Sequence, residues 1–73
     1  MTLTQCEKNQ EVTVKKLHAK NPLKQRLVSF GIIKGAKVKF LAYAPSKSTV
    51  EIEVGKMKIA LRKSEAELVE VEA

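Results

Sequence analysis

The side chains able to do chemistry are few, and their spacing limits what they can do. The chain has one histidine, His18, one cysteine, Cys6, and no aspartate. Acid–base and nucleophilic catalysis need an oriented base with a partner, which a lone histidine does not supply. Ser29, Ser46, Ser48 and Ser64 fall at helix, loop or cap positions, where a hydroxyl is structural. Glu51 and Glu53 alternate along one strand face and are better explained by salt pairs across a hairpin. An enzyme is therefore not expected. Cys6 and His18 are also the sole soft or borderline metal ligands, with no Cys-x-x-Cys or His-x-x-x-His spacing. They meet only if the first strand returns toward the opening turn, and two ligands leave a tetrahedral site half built. No resident metal and no cofactor is expected. Gly55-Lys56-Met57 lacks the flanking glycine and hydroxyl residue of a phosphate-binding loop, and Gly31 with Gly35 cannot form a dinucleotide fingerprint.

Binding remains, and the charge is placed to favour it. The 73 residues carry a net charge of +6. No acidic residue occurs between Val12 and Val50, a span that holds Lys15, Lys16, Lys20, Lys24, Arg26, Lys34, Lys37, Lys39 and Lys47. The sign reverses after Lys63 with Glu65, Glu67, Glu70 and Glu72. Such segregation steers an acidic partner. Nucleic acid is one such partner, but single-strand binders stack bases on exposed aromatics. Phe30 and Phe40 belong to the expected core, which leaves Tyr43 alone. A single cysteine excludes an internal disulfide, and no apolar run approaches the roughly 18 residues of a membrane span. One small soluble domain over residues 1–73, in the cytoplasm, is the expectation.

The elements that must position these residues are legible as periodicity. Asn21 to Gly31 reads as a short helix, with Asn21 as N-cap, Pro22 at the first helical position and Gly31 ending it. At about 100° per residue, Leu23, Leu27 and Phe30 share the inner face. Val28 then points outward, with Lys24 beside it and Ile33 and Lys34 just beyond. Two turns do not persist alone in water, so the helix must rest on a sheet. Glu11–Lys15 alternates as a first strand, and the break at Lys16-Leu17-His18 predicts a bulge or a strand end. Ala36–Ala44 is a second strand, with Val38, Phe40 and Ala42 on one face and Lys37, Lys39, Leu41 and Tyr43 on the other. Thr49–Val54 and Met57–Arg62 form a hairpin around Gly55-Lys56, a loop suited to a type II′ turn. That register pairs Val54 with Met57, Ile52 with Ile59 and Val50 with Leu61, and sets Glu53 against Lys58. Capping-box spacings at Thr4–Glu7 and Ser64–Glu67 predict helical turns near each end. Leu68–Glu72 is a last strand. Five or six short strands and one inserted helix imply a small closed or nearly closed barrel.

The order of these features is more specific than any one of them. Gln10-Glu11-Val12-Thr13-Val14, then Leu23 through Gly35-Ala36, then the Val54-Gly55 hairpin, Ile59-Ala60-Leu61-Arg62 and Val69-Glu70-Val71 resemble the ferrous iron transport protein A (FeoA) family over nearly the whole chain. Two positions depart from the usual pattern: Phe30 stands where leucine or methionine precedes the glycine, and Lys34 where proline precedes Gly35. The resemblance implies a mainly β, SH3-like barrel in the cytoplasm. It implies an accessory role in Fe(II) uptake with the membrane permease FeoB, which has a cytoplasmic G domain. It supplies no catalytic residues. Lys24, Val28, Ile33 and Lys34 form the expected partner-binding surface, with Lys20 and Lys37 next to it. Contact with the membrane is expected through the partner alone. Binding of a transition metal ion, or of nucleic acid, are the alternative roles.

Overall fold

Alternating apolar and charged residues build five strands, and the computed structural model describes them across all residues 1–73. They are β1 (Gln10–Leu17), β2 (Lys37–Tyr43), β3 (Thr49–Val54), β4 (Met57–Arg62) and β5 (Val69–Glu72). Their hydrogen-bonded order is β4-β3-β2-β1-β5, with every neighbouring pair antiparallel. The architecture is mainly β and SH3-like, with five strands rather than six. The ladder is open rather than closed, so β4 and β5 are its two edges. Helix α1 (Leu23–Ser29) is inserted between β1 and β2, and the single turn α2 (Lys63–Ala66) joins β4 to β5. A 3₁₀ turn at Leu3–Gln5 opens the chain.

The β3–β4 hairpin adopts the expected register, Val54 opposite Met57, Ile52 opposite Ile59 and Val50 opposite Leu61. Gly55 has φ +62° while Lys56 is not left-handed, as a type II′ turn requires. Val50, Ile52 and Leu61 are buried, whereas Met57 is 50% exposed because the hairpin tip runs past the core. Glu53 does face Lys58, but no salt pair closes there. The ion pairs within 4.0 Å are Lys15–Glu70, His18–Glu70 and Arg26–Glu65.

Two bulges alter which side chains point inward. In β2 the pairing with β3 shifts between Phe40 and Ala42, so Ala42 faces Glu51 and Tyr43 faces Val50. An extra residue in one strand reverses the alternation beyond it. Ala42 thus leaves the Val38–Phe40 face and Tyr43 joins it, contrary to strict alternation. The Tyr43 ring meets Phe40 edge to face at 5.4 Å, and its hydroxyl donates to the Thr4 carbonyl oxygen. In β1 the shift lies between Val14 and Lys16, and the strand runs on to Leu17. The break in pattern there is a bulge and not a strand end.

Helix α1 is anchored to the core by a few apolar side chains. Leu27 is fully buried, while Leu23 and Phe30 are partly buried against the same core. Burying one leucine contributes about 1.5–3 kcal/mol, more than two helical turns gain from backbone bonding alone. The helix ends in a Schellman motif, with Ile32 N–H donating to the Leu27 oxygen and Gly31 N–H to the Val28 oxygen. Gly31 takes the left-handed φ, +88°, that this motif needs. The start differs from expectation. Pro22, in helical conformation after a cis Asn21–Pro22 bond, is itself the N-cap, and Asn21 makes no capping bond. The terminal turns form as expected but two residues earlier in frame. Gln5 Oε1 accepts the Thr2 N–H at 2.8 Å, and Glu65 Oε1 accepts the Arg62 N–H at 2.9 Å. In each case the acceptor stands three residues after the amide it captures, so the opening residue need not be a hydroxyl.

Candidate functional site

Beyond Thr13, β1 loses its strand pairing with β2 and is held instead by single bonds to the loop that follows α1. Val14 N–H donates to the Ala36 oxygen, and Gly35 N–H donates to the Val14 oxygen, both at 2.8 Å. The bulged end of β1, the outer face of α1 and this loop leave a groove of about 580 Å³ between them. Leu17, Val28 and Ile33 supply its apolar wall, and Lys15, Lys16, Lys24 and Lys34 its charge. No acidic residue lines it. Val28 is 44% and Ile33 47% exposed, two of only four large apolar side chains so exposed on the molecule. Ile33 is kept outward by a turn in which Ala36 N–H donates to its carbonyl oxygen at 2.9 Å. Gly35 reaches the left-handed φ of +89° in that turn, a conformation few other residues adopt.

Of the six residues singled out from the sequence, the groove brings together Lys24, Val28, Ile33 and Lys34. Lys20 lies in a different depression, beside Asn21, Pro22, Leu23, Arg26 and Glu65. Lys37 faces Thr13 on the sheet and does not line the groove. The three residues from β1, Lys15, Lys16 and Leu17, were not expected there. Their signal was the adjacent lysine pair at the pattern break, where the bulge turns the strand end toward α1.

Lys15 of the groove also belongs to a polar cluster on Glu70. The His18 Nε2 lies 2.7 Å from one Glu70 oxygen, and Lys15 Nζ lies 3.7 Å from the other. The His18 hydrogen bond, with the positive charges of Lys15 and the N-terminus, outweighs desolvation and holds the Glu70 carboxyl below the usual range. Cys6 sits elsewhere, buried, with its Sγ 3.9 Å from the Thr2 oxygen. Burial pushes its thiol up, which disfavours the thiolate that would bind a metal. Cys6 and His18 are thus each engaged with different neighbours. No group of three or more histidine, cysteine or carboxylate side chains is gathered into a metal-binding cluster. The aromatic rings are committed as well, since Phe40 is buried and Phe30 and Tyr43 pack against the core.

Known proteins share this fold. The description "FeoA domain" fits residues 1–73. A relative from Campylobacter jejuni, provisionally named Fe(2+) transport protein A, is 34% identical over 71 residues, 97% of this chain and 96% of that protein. The solution structure of the FeoA protein from Chlorobium tepidum matches at a TM-score of 0.91 and 30% identity, over 97% of this chain and 68% of that one. The crystal structure of Stenotrophomonas maltophilia FeoA complexed with zinc, described as a prokaryotic SH3 domain protein, matches at a TM-score of 0.84 and 32% identity. It is covered over 89% of its length and covers 99% of this chain. With sequence and fold agreeing from end to end, this chain belongs to the FeoA family, which is involved in ferrous iron transport.

Proposed function

We propose that this protein is a cytoplasmic accessory factor of ferrous iron uptake that docks onto the cytoplasmic G-domain region of a FeoB-type Fe(II) transporter. The observation that supports this reading is the groove beside α1. It sets exposed Val28 and Ile33 among four lysines, with no acidic side chain in its lining. A partner that fits it offers one or two apolar side chains framed by carboxylates. The iron ion is cargo of the transporter and needs no ligand set here. Catalysis is not part of the proposed role.

Titration of the isolated transporter domain into the labelled protein, followed by NMR, tests the reading. Amide shifts are expected along α1, the end of β1 and Ile33–Lys34. Replacing Val28 and Lys24 together by glutamate is expected to weaken binding at least about tenfold, since it removes an anchor and reverses a charge. Both side chains are exposed, so the thermal midpoint should stay within a few degrees of the parent. Unchanged affinity in the double variant would remove the groove from the interface.

A further inference from the structure

The sheet has two edges, and they are treated differently. On β5 the outer edge is occupied by the N-terminus: Val71 N–H donates to the Met1 oxygen at 2.7 Å, and Thr2 bridges to Glu70. On β4 no element lies alongside. In a two-residue hairpin the residues flanking the turn bond each other, so Met57, Ile59 and Leu61 bond inward to β3. Lys58, Ala60 and Arg62 therefore direct their main-chain groups outward. Arg62 confirms the phase, because its N–H leaves the ladder and reaches Glu65 Oε1. The N–H and C=O groups of Lys58 and Ala60 have no intramolecular partner in that direction, and both residues are exposed.

A second pattern leads to the same edge. Across the outer face of the sheet, Glu11 stands opposite Lys39, Lys39 opposite Glu53, and Glu53 opposite Lys58. The row alternates in sign over four strands and stops on a cation. A strand added beyond β4 continues it with a carboxylate opposite Lys58. Lys56, Lys58, Arg62 and Lys63 leave the β4 segment from Lys56 to Lys63 without an acidic residue.

We infer that β4 is an acceptor edge for an extended acidic segment of a partner protein, which adds as a sixth strand and sets a glutamate or aspartate against Lys58. This surface is separate from the groove beside α1 and does not depend on it. A second copy of the chain is a poor occupant. Antiparallel pairing of β4 with itself places Lys58 against Lys58, Ala60 or Arg62 of the other copy, none of them acidic. The acidic strand β5 of another copy is already closed by Met1 and Thr2. Main-chain bonds would supply affinity and the charged row would supply register.

The probe is a short peptide with blocked ends that alternates glutamate with valine, titrated into the full chain and followed by NMR. Its counterpart carries lysine in place of glutamate. Saturable shifts and slowed hydrogen exchange at Lys58 and Ala60 with the acidic peptide, and not with the basic one, are expected. Lys58→Glu is expected to weaken the acidic peptide about fivefold and to improve the basic one, the size of a cross-strand charge pair. Ala60→Pro removes an outward donor without taking a bond from β3, and is expected to abolish binding. Should Ala60→Pro fail to fold, the charge reversal at Lys58 still decides. Equal binding of both peptides, shifts confined to Lys24, Val28 and Ile33, or no saturation at millimolar peptide would each overturn the proposal.

Discussion

Glu65 shows how much one side chain does in a domain of this size. One of its oxygens accepts the Arg62 amide and the other accepts the Arg26 guanidinium at 2.6 Å, tying α2 to α1. Partial burial works to raise the carboxyl, yet the Arg62 amide and the Arg26 group outweigh it and bring it below its ordinary value. A depressed carboxylate means that the unfolded chain binds the proton more readily. The stability it contributes is therefore full above the ordinary glutamate range and lost as pH falls through the lower, folded value. Glu65→Ala is expected to cost about 1 kcal/mol at neutral pH, mostly through the amide bond, since the guanidinium is half exposed. Urea midpoints of the two proteins should converge as pH drops toward the bottom of the carboxylate range. A gap that persists there would assign the effect to packing. At this scale the sequence was informative about residue types and poor about partners. It placed Val28 outside and Leu27 inside, because helical spacing alone decides that. It did not pair His18 or Lys15 with Glu70, since those contacts span more than fifty residues of chain and form only once β5 lies beside β1.

Among the elements, α1 is the one most dependent on its ends. It has no side-chain cap at its start, so the Schellman closure at Phe30–Ile32 carries the definition of its length. Gly31→Ala puts a Cβ at left-handed φ and within 3.4 Å of Val54 Cγ1. A loss of about 1–2 kcal/mol is expected, read as a lower urea midpoint with an unchanged slope. The same change at Gly55 meets open space, so its penalty is conformational alone. The hairpin and the helix were legible because each is local: a two-residue turn fixes one register, and a 3.6-residue period fixes one face. The bulges in β1 and β2 were not, or only as a stumble in the pattern at Lys16. A bulge is chosen by the strands on either side of it, and an extra residue carries no distinctive side chain. Tyr43 pays for that blindness, being assigned to the outer face by simple alternation and found against Phe40.

For the molecule as a whole, the basic residues fall on two separate surfaces, the groove beside α1 and the free edge at β4. Most of the fold could be anticipated, since five strands, one helix and the terminal turns follow from spacing. The openness of the sheet could not, because closure depends on how far β4 and β5 twist toward each other. The two edges carry opposite signs, Lys58 and Arg62 on one and Glu70 and Glu72 on the other, and Met1 and Thr2 take up the outer main-chain bonding of β5. Contacts between unlike edges are head-to-tail, and they build rings or open chains rather than a two-fold pair. Deleting Met1 and Thr2 should accordingly promote head-to-tail oligomers whose size grows with concentration and shrinks with salt, which sedimentation velocity would detect. The first two residues of this chain are then best understood as a stopper against polymerisation.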